Sequence, residues 1–327
     1  MRRHLVTLAG LVISAVALYF VLQTIDLGEA VGIIARAAPL PLLGIVGVVG
    51  VQVALRSFRW SLLLPVRPGG RPIPVRRLAP PLLVGYLGNT VLPARLGEAM
   101  RAVIVARREP VGVTEAVGSV LVERFIDVVA LAVVAFGASL LISAPDWARQ
   151  LLGVAAGVGI IGLVILLTTG LEPILRLADR LGLARRERLR GVLVRFADTV
   201  GGPSRRPVLA AAAGISLGSW LIDASAFWLA AQAVGVELSY AAAVLVAGVT
   251  VLGTAVPSAP GYVGTFELAA AGIAGALGVP PTPALAMAVV AHLATSIPYA
   301  AGGAVSLALI GANLGEVAHA AEARSDG

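Results

Sequence analysis

Cysteine and lysine are absent from this chain of 327 residues, and charged residues of every kind make up only 13%. Without cysteine there is no disulfide, no thiol nucleophile and no cysteine-held metal. Three scattered histidines, His4, His292 and His319, do not suggest a metal cluster. A Walker A loop, a His-Glu-x-x-His pair and a Gly-x-Ser-x-Gly elbow are also missing, so nothing here couples to ATP by itself. No cofactor is expected. A soluble domain carries about 25% charged side chains, and this chain has too few to clothe a surface in water.

What fills the sequence instead is apolar. The hydrophobic share is 58% and the mean hydropathy +0.93, so lipid must be the solvent for most of the chain. About 20 apolar residues cross the ~30 Å hydrocarbon core. Uninterrupted apolar runs lie at 5–22, 40–55, 111–142, 151–170, 208–234 and 284–312, and two further runs, 79–92 and 241–278, are broken by Pro and Gly. Backbone polar groups in hydrocarbon need internal partners, so the unbroken runs must be helices. The first run is long for a signal peptide and no Ala-x-Ala site follows it, which favours an uncleaved signal anchor.

All 25 basic residues are arginine. With Arg2 and Arg3 setting the N-terminus inside, alternating the unbroken spans assigns 22 of the 25 to the cytoplasm. Those are Arg2, Arg3, six from Arg56 to Arg77, four from Arg95 to Arg108, nine from Arg176 to Arg206, and Arg324. Arg36 and Arg149 fall outside, and Arg124 lies within a span. Both termini are then cytoplasmic in a multi-pass cell-membrane protein. The positive charge is directed at anionic lipid headgroups and not at nucleic acid. The loop 171–207 places Leu189, Val192, Leu193 and Phe196 on one helical face among arginines. It reads either as an interfacial helix held to headgroups or as a basic loop that only fixes topology.

Two passages repeat a pattern: Thr90-x-x-Pro93-x-x-x-Gly97 and Thr254-x-x-Pro257-x-x-x-Gly261. Each sits at the end of a broken run between two long spans, the first entered from the cytoplasm and the second from outside. Residues 39–143 and 208–312 therefore share an element order in opposite orientation. The fold class expected is all-α: a polytopic membrane helix bundle with two re-entrant helical hairpins in an inverted-topology repeat, whose broken helices build a substrate site. The remainder divides into a signal-anchor span at 1–38, a connecting span and basic loop at 144–207, and a cytoplasmic tail at 313–327.

Ionisable groups inside spans are expensive and should be paired in a polar interior. Glu123, Arg124 and Asp127 share one stretch of helix, with Glu123 and Asp127 at i, i+4. Arg95, Glu98 and Arg101 follow Pro93 at three-residue spacing, on a helix that Pro93 is suited to open. They read as a phosphate-receiving face or as a solvated basic face. Asp223 lies within 208–234, and Glu267 follows Gly264. Gly261 and Gly264 permit close backbone approach, to a ligand or to a neighbouring helix. His292 reads as a satisfied interhelical donor.

Taken together, Arg56-Ser-Phe-Arg59-Trp60, then Gly88-Asn89-Thr-Val-Leu-Pro93-Ala-Arg95-Leu-Gly97-Glu98-Ala-Met-Arg101, then Ser119-Val-Leu-Val-Glu123-Arg124-Phe-Ile-Asp127 resemble the lysylphosphatidylglycerol synthase transmembrane-region family, also called flippase-like domain proteins. Pro257-Ser-Ala-Pro260-Gly261-Tyr-Val-Gly264-Thr-Phe-Glu267 is similar to that family's second-half motif. The resemblance covers nearly the whole chain and implies a lipid translocator, not an enzyme. Two departures stand out: no soluble aminoacyl-transferase domain is present, and His292 stands where an arginine would be expected. The expected function is the movement of a polar-headed, anionic or phosphate-bearing lipid between leaflets. Asn89, Pro93, Arg95, Gly97, Glu98, Arg101, Glu123, Arg124, Asp127, Asp223, Pro257, Pro260, Gly261, Gly264 and Glu267 are the candidate substrate-binding residues. The alternatives are an intramembrane lipid-linked transferase and a non-transporting scaffold for a separately encoded lipid synthase or glycosyltransferase. An oligomer is compatible with either.

Overall fold

A computed structural model of the chain describes residues 2–23, 25–65, 71–92, 96–169, 205–255 and 258–311, with no side-chain detail for 2–9, 21, 22 and 169. Pro93, Arg95, Pro257, the loop 171–207 up to residue 204 and the tail 313–327 lie outside the described residues. The described residues form eleven α-helices and no strand: α1 (Arg2–Leu22), α2 (Leu27–Ala35), α3 (Pro39–Leu63), α4 (Val75–Val91), α5 (Leu96–Arg108), α6 (Val113–Leu140), α7 (Asp146–Thr169), α8 (Arg206–Ala233), α9 (Tyr240–Gly253), α10 (Thr265–Ala276) and α11 (Pro281–Ile310). A 3₁₀ turn, Pro260–Tyr262, joins α9 to α10.

Local chemistry sets the ends. Prolines open α3 and α11 in their first turn, where the missing N–H costs nothing. Ser239 caps α9 by accepting from the Ala242 N–H, and Asp26 caps α2 through the Glu29 N–H. Gly264, at φ 90°, starts α10, and its N–H donates to the Glu267 carboxylate three residues on.

Among the described residues, four helices are long and apolar enough to cross a membrane: Pro39–Leu63, Asp146–Thr168, Arg206–Ala233 and Pro281–Ile310. The sequence suggested six unbroken spans. Helix α6 is as long, at 28 residues, but carries Glu115, Glu123, Arg124 and Asp127; α1 contributes the apolar stretch Gly10–Phe20. Helix α7 packs mainly on α6 and turns Leu151, Val154, Val158 and Ile161 outward, each more than half exposed. In a chain this apolar, that is a lipid-facing stripe.

The broken run 79–92 folds as the short helix α4, which pairs with α5 just beyond it, and the run 241–278 folds as the short pair α9 and α10. At about 1.5 Å per residue, their 17, 13, 14 and 12 residues reach about 18 to 26 Å. Each is shorter than the ~30 Å hydrocarbon core. Small residues let the arms touch. A methyl group added to Gly97 would fall 1.8 Å from the Gly85 carbonyl oxygen, and one added to Gly253 would fall 2.9 Å from the Ala269 side chain.

Helix α3 packs along α8, α4 along α11, and α9 along α6. Exchanging α3–α6 for α8–α11 in order maps the α4–α11 contact onto α9–α6 and the α3–α11 contact onto α8–α6, all of which occur. The largest buried apolar cluster is alanine-rich and joins α8, α9, α10 and α11 around Leu245, Ile273 and Met287. Small side chains give such helices their close approach.

Candidate functional site

Four helices bring their polar faces to one place. On α3, Gln52, Arg56, Arg59 and Trp60 follow helical spacing, as do Ser216, Ser219, Trp220 and Asp223 on α8; residues so spaced lie on one helix face. Helix α6 adds Ser119, Glu123, Arg124 and Asp127, and α5 adds Glu98 and Arg101.

The deepest group is an ion network around Glu123, whose side chain is 1% exposed. Arg59, also 1% exposed, donates to both carboxylate oxygens of Asp127, lies 3.1 Å from Glu123 Oε1 and donates to Ser216 Oγ at 2.5 Å. Arg101 forks onto Glu123 at 2.9 and 3.3 Å and lies over the Trp60 ring. Arg124 reaches Glu123 at 2.6 Å and Asp127 at 3.0 Å, with Glu98 at 3.7 Å. Trp60 Nε1 donates to Ser119 Oγ at 2.9 Å. Three guanidinium groups thus face three carboxylates, and the network balances its own charge. Buried ions are tolerated only in such an arrangement.

Beside it stands a second, shallower pair. Arg56 binds Asp223, donates to Tyr86 Oη at 2.6 Å and to Gln52 Oε1 at 3.2 Å, so each of its three nitrogens is engaged. Gln52 is fixed in turn by Ser219, donating to its carbonyl oxygen and accepting from its hydroxyl. The Arg56 guanidinium lies over the Tyr86 and Trp220 rings, and Tyr86 packs on Tyr299 with centroids 4.3 Å apart.

These groups border a cavity of about 240 Å³ between α3, α4, α8 and the second hairpin. Its charged wall is Arg56, Glu98, Arg124 and Asp223, with Asn89 beside them. The chain has only four Trp, five Tyr and seven Phe, and six of these sixteen line this one space: Tyr86, Trp220, Phe227, Tyr262, Phe266 and Tyr299. Such a concentration in an aromatic-poor chain marks the cavity as built. A smaller pocket of about 30 Å³ adjoins it, sharing Tyr86, Asn89, Glu98 and Arg124 and adding Gly97 and Arg101. The hairpin ends meet at the large cavity: Thr90 and Gly261 both line it, and Gly261 lies against the Thr90 carbonyl.

The candidate residues therefore sort into layers. Asn89, Glu98, Arg124, Asp223 and Gly261 line the large cavity; Gly97 and Arg101 line the small one; Glu123 and Asp127 stand behind as counter-ions. Glu267 lies to the side, where its Oε1 meets His292 Nδ1 at 2.6 Å, and Phe266 stacks between His292 and Phe227. His292 is thus a satisfied interhelical partner, and Gly264 and Pro260 shape the turn.

Two expectations from the arginine pattern change. Arg56 and Arg59 do not belong to a basic loop: α3 continues past the apolar run to Leu63, burying Arg59 at 1% exposure and leaving Arg56 partly buried. Arg101 is not on a solvated face, because Glu123 and Trp60 hold it at 3% exposure. Sequence reasoning missed Gln52, Tyr86 and Tyr299 altogether. The signal for the α3 residues was the continuation of helical spacing from Gln52 to Trp60 beyond the point where hydropathy falls.

The family described as Lysylphosphatidylglycerol synthase TM region matches residues 7–303. The chain is similar to Glycosyltransferase AglD of Haloferax volcanii, at 27% identity over 356 aligned residues. That match covers 95% of this chain and 55% of the relative, so the chain spans about half of that protein's length. No solved structure matches.

Proposed function

The chain belongs to the lysylphosphatidylglycerol synthase TM-region family, and on that premise we propose that it is a flippase-like transporter that moves a polar-headed lipid between leaflets. The observation that carries this reading is the charge-lined, aromatic-rich cavity at the meeting point of two short-helix hairpins. A polar cavity at the centre of an apolar bundle offers a headgroup what the bilayer denies it. Acyl chains can stay in lipid while the headgroup passes along Arg56, Asp223, Asn89 and Arg124.

In this reading α4–α5 and α9–α10 are re-entrant hairpins related by an inverted repeat. Their short length and the exchange symmetry of the helix contacts support it. The protein sits in the cell membrane with both termini cytoplasmic, as the arginines outside the buried network favour. It works without chemistry of its own: the carboxylates Glu123 and Asp127, which an enzyme would need as bases, are consumed by Arg59, Arg101 and Arg124.

A second reading is favoured by one observation, the relative named as a glycosyltransferase. There the membrane region serves lipid-linked glycosyl transfer as a scaffold or partner of a synthase or glycosyltransferase and moves nothing itself. Reconstitution of the full chain in vesicles loaded with a fluorescent lipid, followed by chemical quenching of the outer leaflet, separates the two. Transporter activity predicts protein-dependent quenching of nearly the whole lipid pool for at least one headgroup. Quenching that stays at the protein-free level for neutral, anionic and cationic headgroups alike overturns it in favour of the scaffold.

A further inference from the structure

We infer that the headgroup taken by the large cavity is uncharged overall and rich in hydroxyls, a glycosyl or polyol headgroup in place of a bare phosphate or an ammonium group. This rests on the lipid-moving reading above and revises the expectation of an anionic headgroup.

Charge comes first. The ionised groups on the wall are Arg56, Arg124, Glu98 and Asp223, two of each sign, and each has a partner. All three Arg56 nitrogens are engaged by Asp223, Tyr86 and Gln52, and Arg124 is held by Glu98, Glu123 and Asp127. A phosphate entering here meets cations already paired with carboxylates and would compete with them, and burying an unpaired ion is costly. Arg101, expected to receive phosphate, is spent on Glu123.

An ammonium headgroup fares no better. Recognition of such cations uses open aromatic faces, and the protein covers at least one face of five wall rings itself. Arg56 covers Tyr86 and Trp220, Tyr299 lies on Tyr86, and Phe266 is stacked between Phe227 and His292.

What remains unmet on the wall is mixed in kind. Three polar atoms of wall residues have no partner, the donors Trp220 Nε1 and Arg124 Nε and the acceptor Asn89 Oδ1; each is shielded from the open space, so a headgroup reaches it only if its side chain turns. Phosphate oxygens could answer only the donors and an ammonium only the acceptor, whereas a hydroxyl both donates and accepts. Ser296 adds a hydroxyl on the same wall. The cavity of about 240 Å³ leaves room for a headgroup of sugar size.

The test is competition binding on the purified full chain, with radiolabelled monohexosyl diacylglycerol as the probe. Unlabelled monohexosyl diacylglycerol should displace it at the lowest concentration, with phosphatidic acid and a trimethylammonium diacyl lipid at least tenfold weaker. Asn89→Ala and Trp220→Phe should each weaken hexosyl-lipid binding roughly three- to tenfold, the effect of one lost hydrogen bond, and Asn89→Ala, which removes an acceptor that phosphate cannot use, should leave phosphatidic acid binding unchanged. Thermal melting verifies that each variant folds, and either variant suffices if the other does not. Phosphatidic acid or the ammonium lipid competing as well as the hexosyl lipid overturns the assignment. A free methyl hexoside binding as tightly as the lipid overturns it too, in favour of a soluble sugar. Leaflet exchange measured in parallel keeps the two claims apart. Exchange of phosphatidic acid but not hexosyl lipid ends the headgroup assignment and spares transport. Hexosyl-lipid binding without exchange of any lipid ends transport and spares the headgroup class.

Discussion

The two halves of the bundle share a layout and differ in content. In α3–α6 the interior is ionic: Arg59, Arg101, Arg124, Glu98, Glu123 and Asp127 hold one another across three helices. In α8–α11 the interior is alanine and aliphatic, relieved by the Glu267–His292 pair and by Asp223, which belongs to Arg56 of the other half. The same arrangement of long helix, short hairpin and long helix is thus held by charge on one side and by close packing on the other. The ionic half fixes one wall of the cavity at high cost for any disturbance, and the apolar half supplies the opposite wall with aromatic side chains.

The largest effect expected from this contrast is at the hub of the ionic half. Glu123→Gln removes the carboxylate that three arginines share and leaves surplus positive charge buried. Breaking such a network costs about 3–5 kcal/mol, read as a large drop in the thermal transition of the detergent-solubilised protein. Its counterpart, Glu267→Gln, loses one partner of a pair and should cost about 1–3 kcal/mol. Equal losses at the two sites would break the comparison.

Next comes helix contact. Gly97→Ala puts a methyl group onto the Gly85 carbonyl and should force α4 from α5, costing about 1–3 kcal/mol or more together with transport. The same change at Gly214 on α8, where nothing lies within 4 Å of the added carbon, should be neutral or stabilising by about 0.5–1 kcal/mol. Thermal melts of the two variants side by side check this.

Smaller again is Arg124→Ala. In the sequence Arg124 stands beside Glu123 and Asp127, and in the structure Arg59 and Arg101 share the work of neutralising them. Its side chain is one-third exposed, so stability should fall by about 1–2 kcal/mol while leaflet exchange falls further. A stability loss matching that of Glu123→Gln would show that the hub is misplaced.

What the sequence revealed and what it hid divide along the same line. Apolar runs placed α6, α8 and α11 to within about three residues, because lipid exposure makes hydropathy and helix coincide, whereas α3 continues eight residues past its run and α5 lies outside the run that holds α4. Glu123, Arg124 and Asp127 were visible as ions because they sit in the middle of an apolar run. Arg56 and Arg59 were not, since they fall where hydropathy declines, and a buried arginine at a helix end has the same one-dimensional signature as a loop arginine. Only their spacing from Gln52 on α3 distinguishes them. Tyr86 and Tyr299 carried no signal, for their meeting depends on how α4 packs against α11, a contact across more than two hundred residues.

The cavity between the halves is the proposed route of the headgroup, and the absence of cysteine opens that route to direct labelling. Ser296, on the wall from α11, is replaced by cysteine, and the full chain is reconstituted in vesicles containing a lipid the unmodified protein exchanges. A bulky methanethiosulfonate is then added, modification is followed by mass, and leaflet exchange is measured before and after reduction. Modification should stop exchange, and reduction should restore it. Complete modification with exchange unchanged would contradict the proposed route.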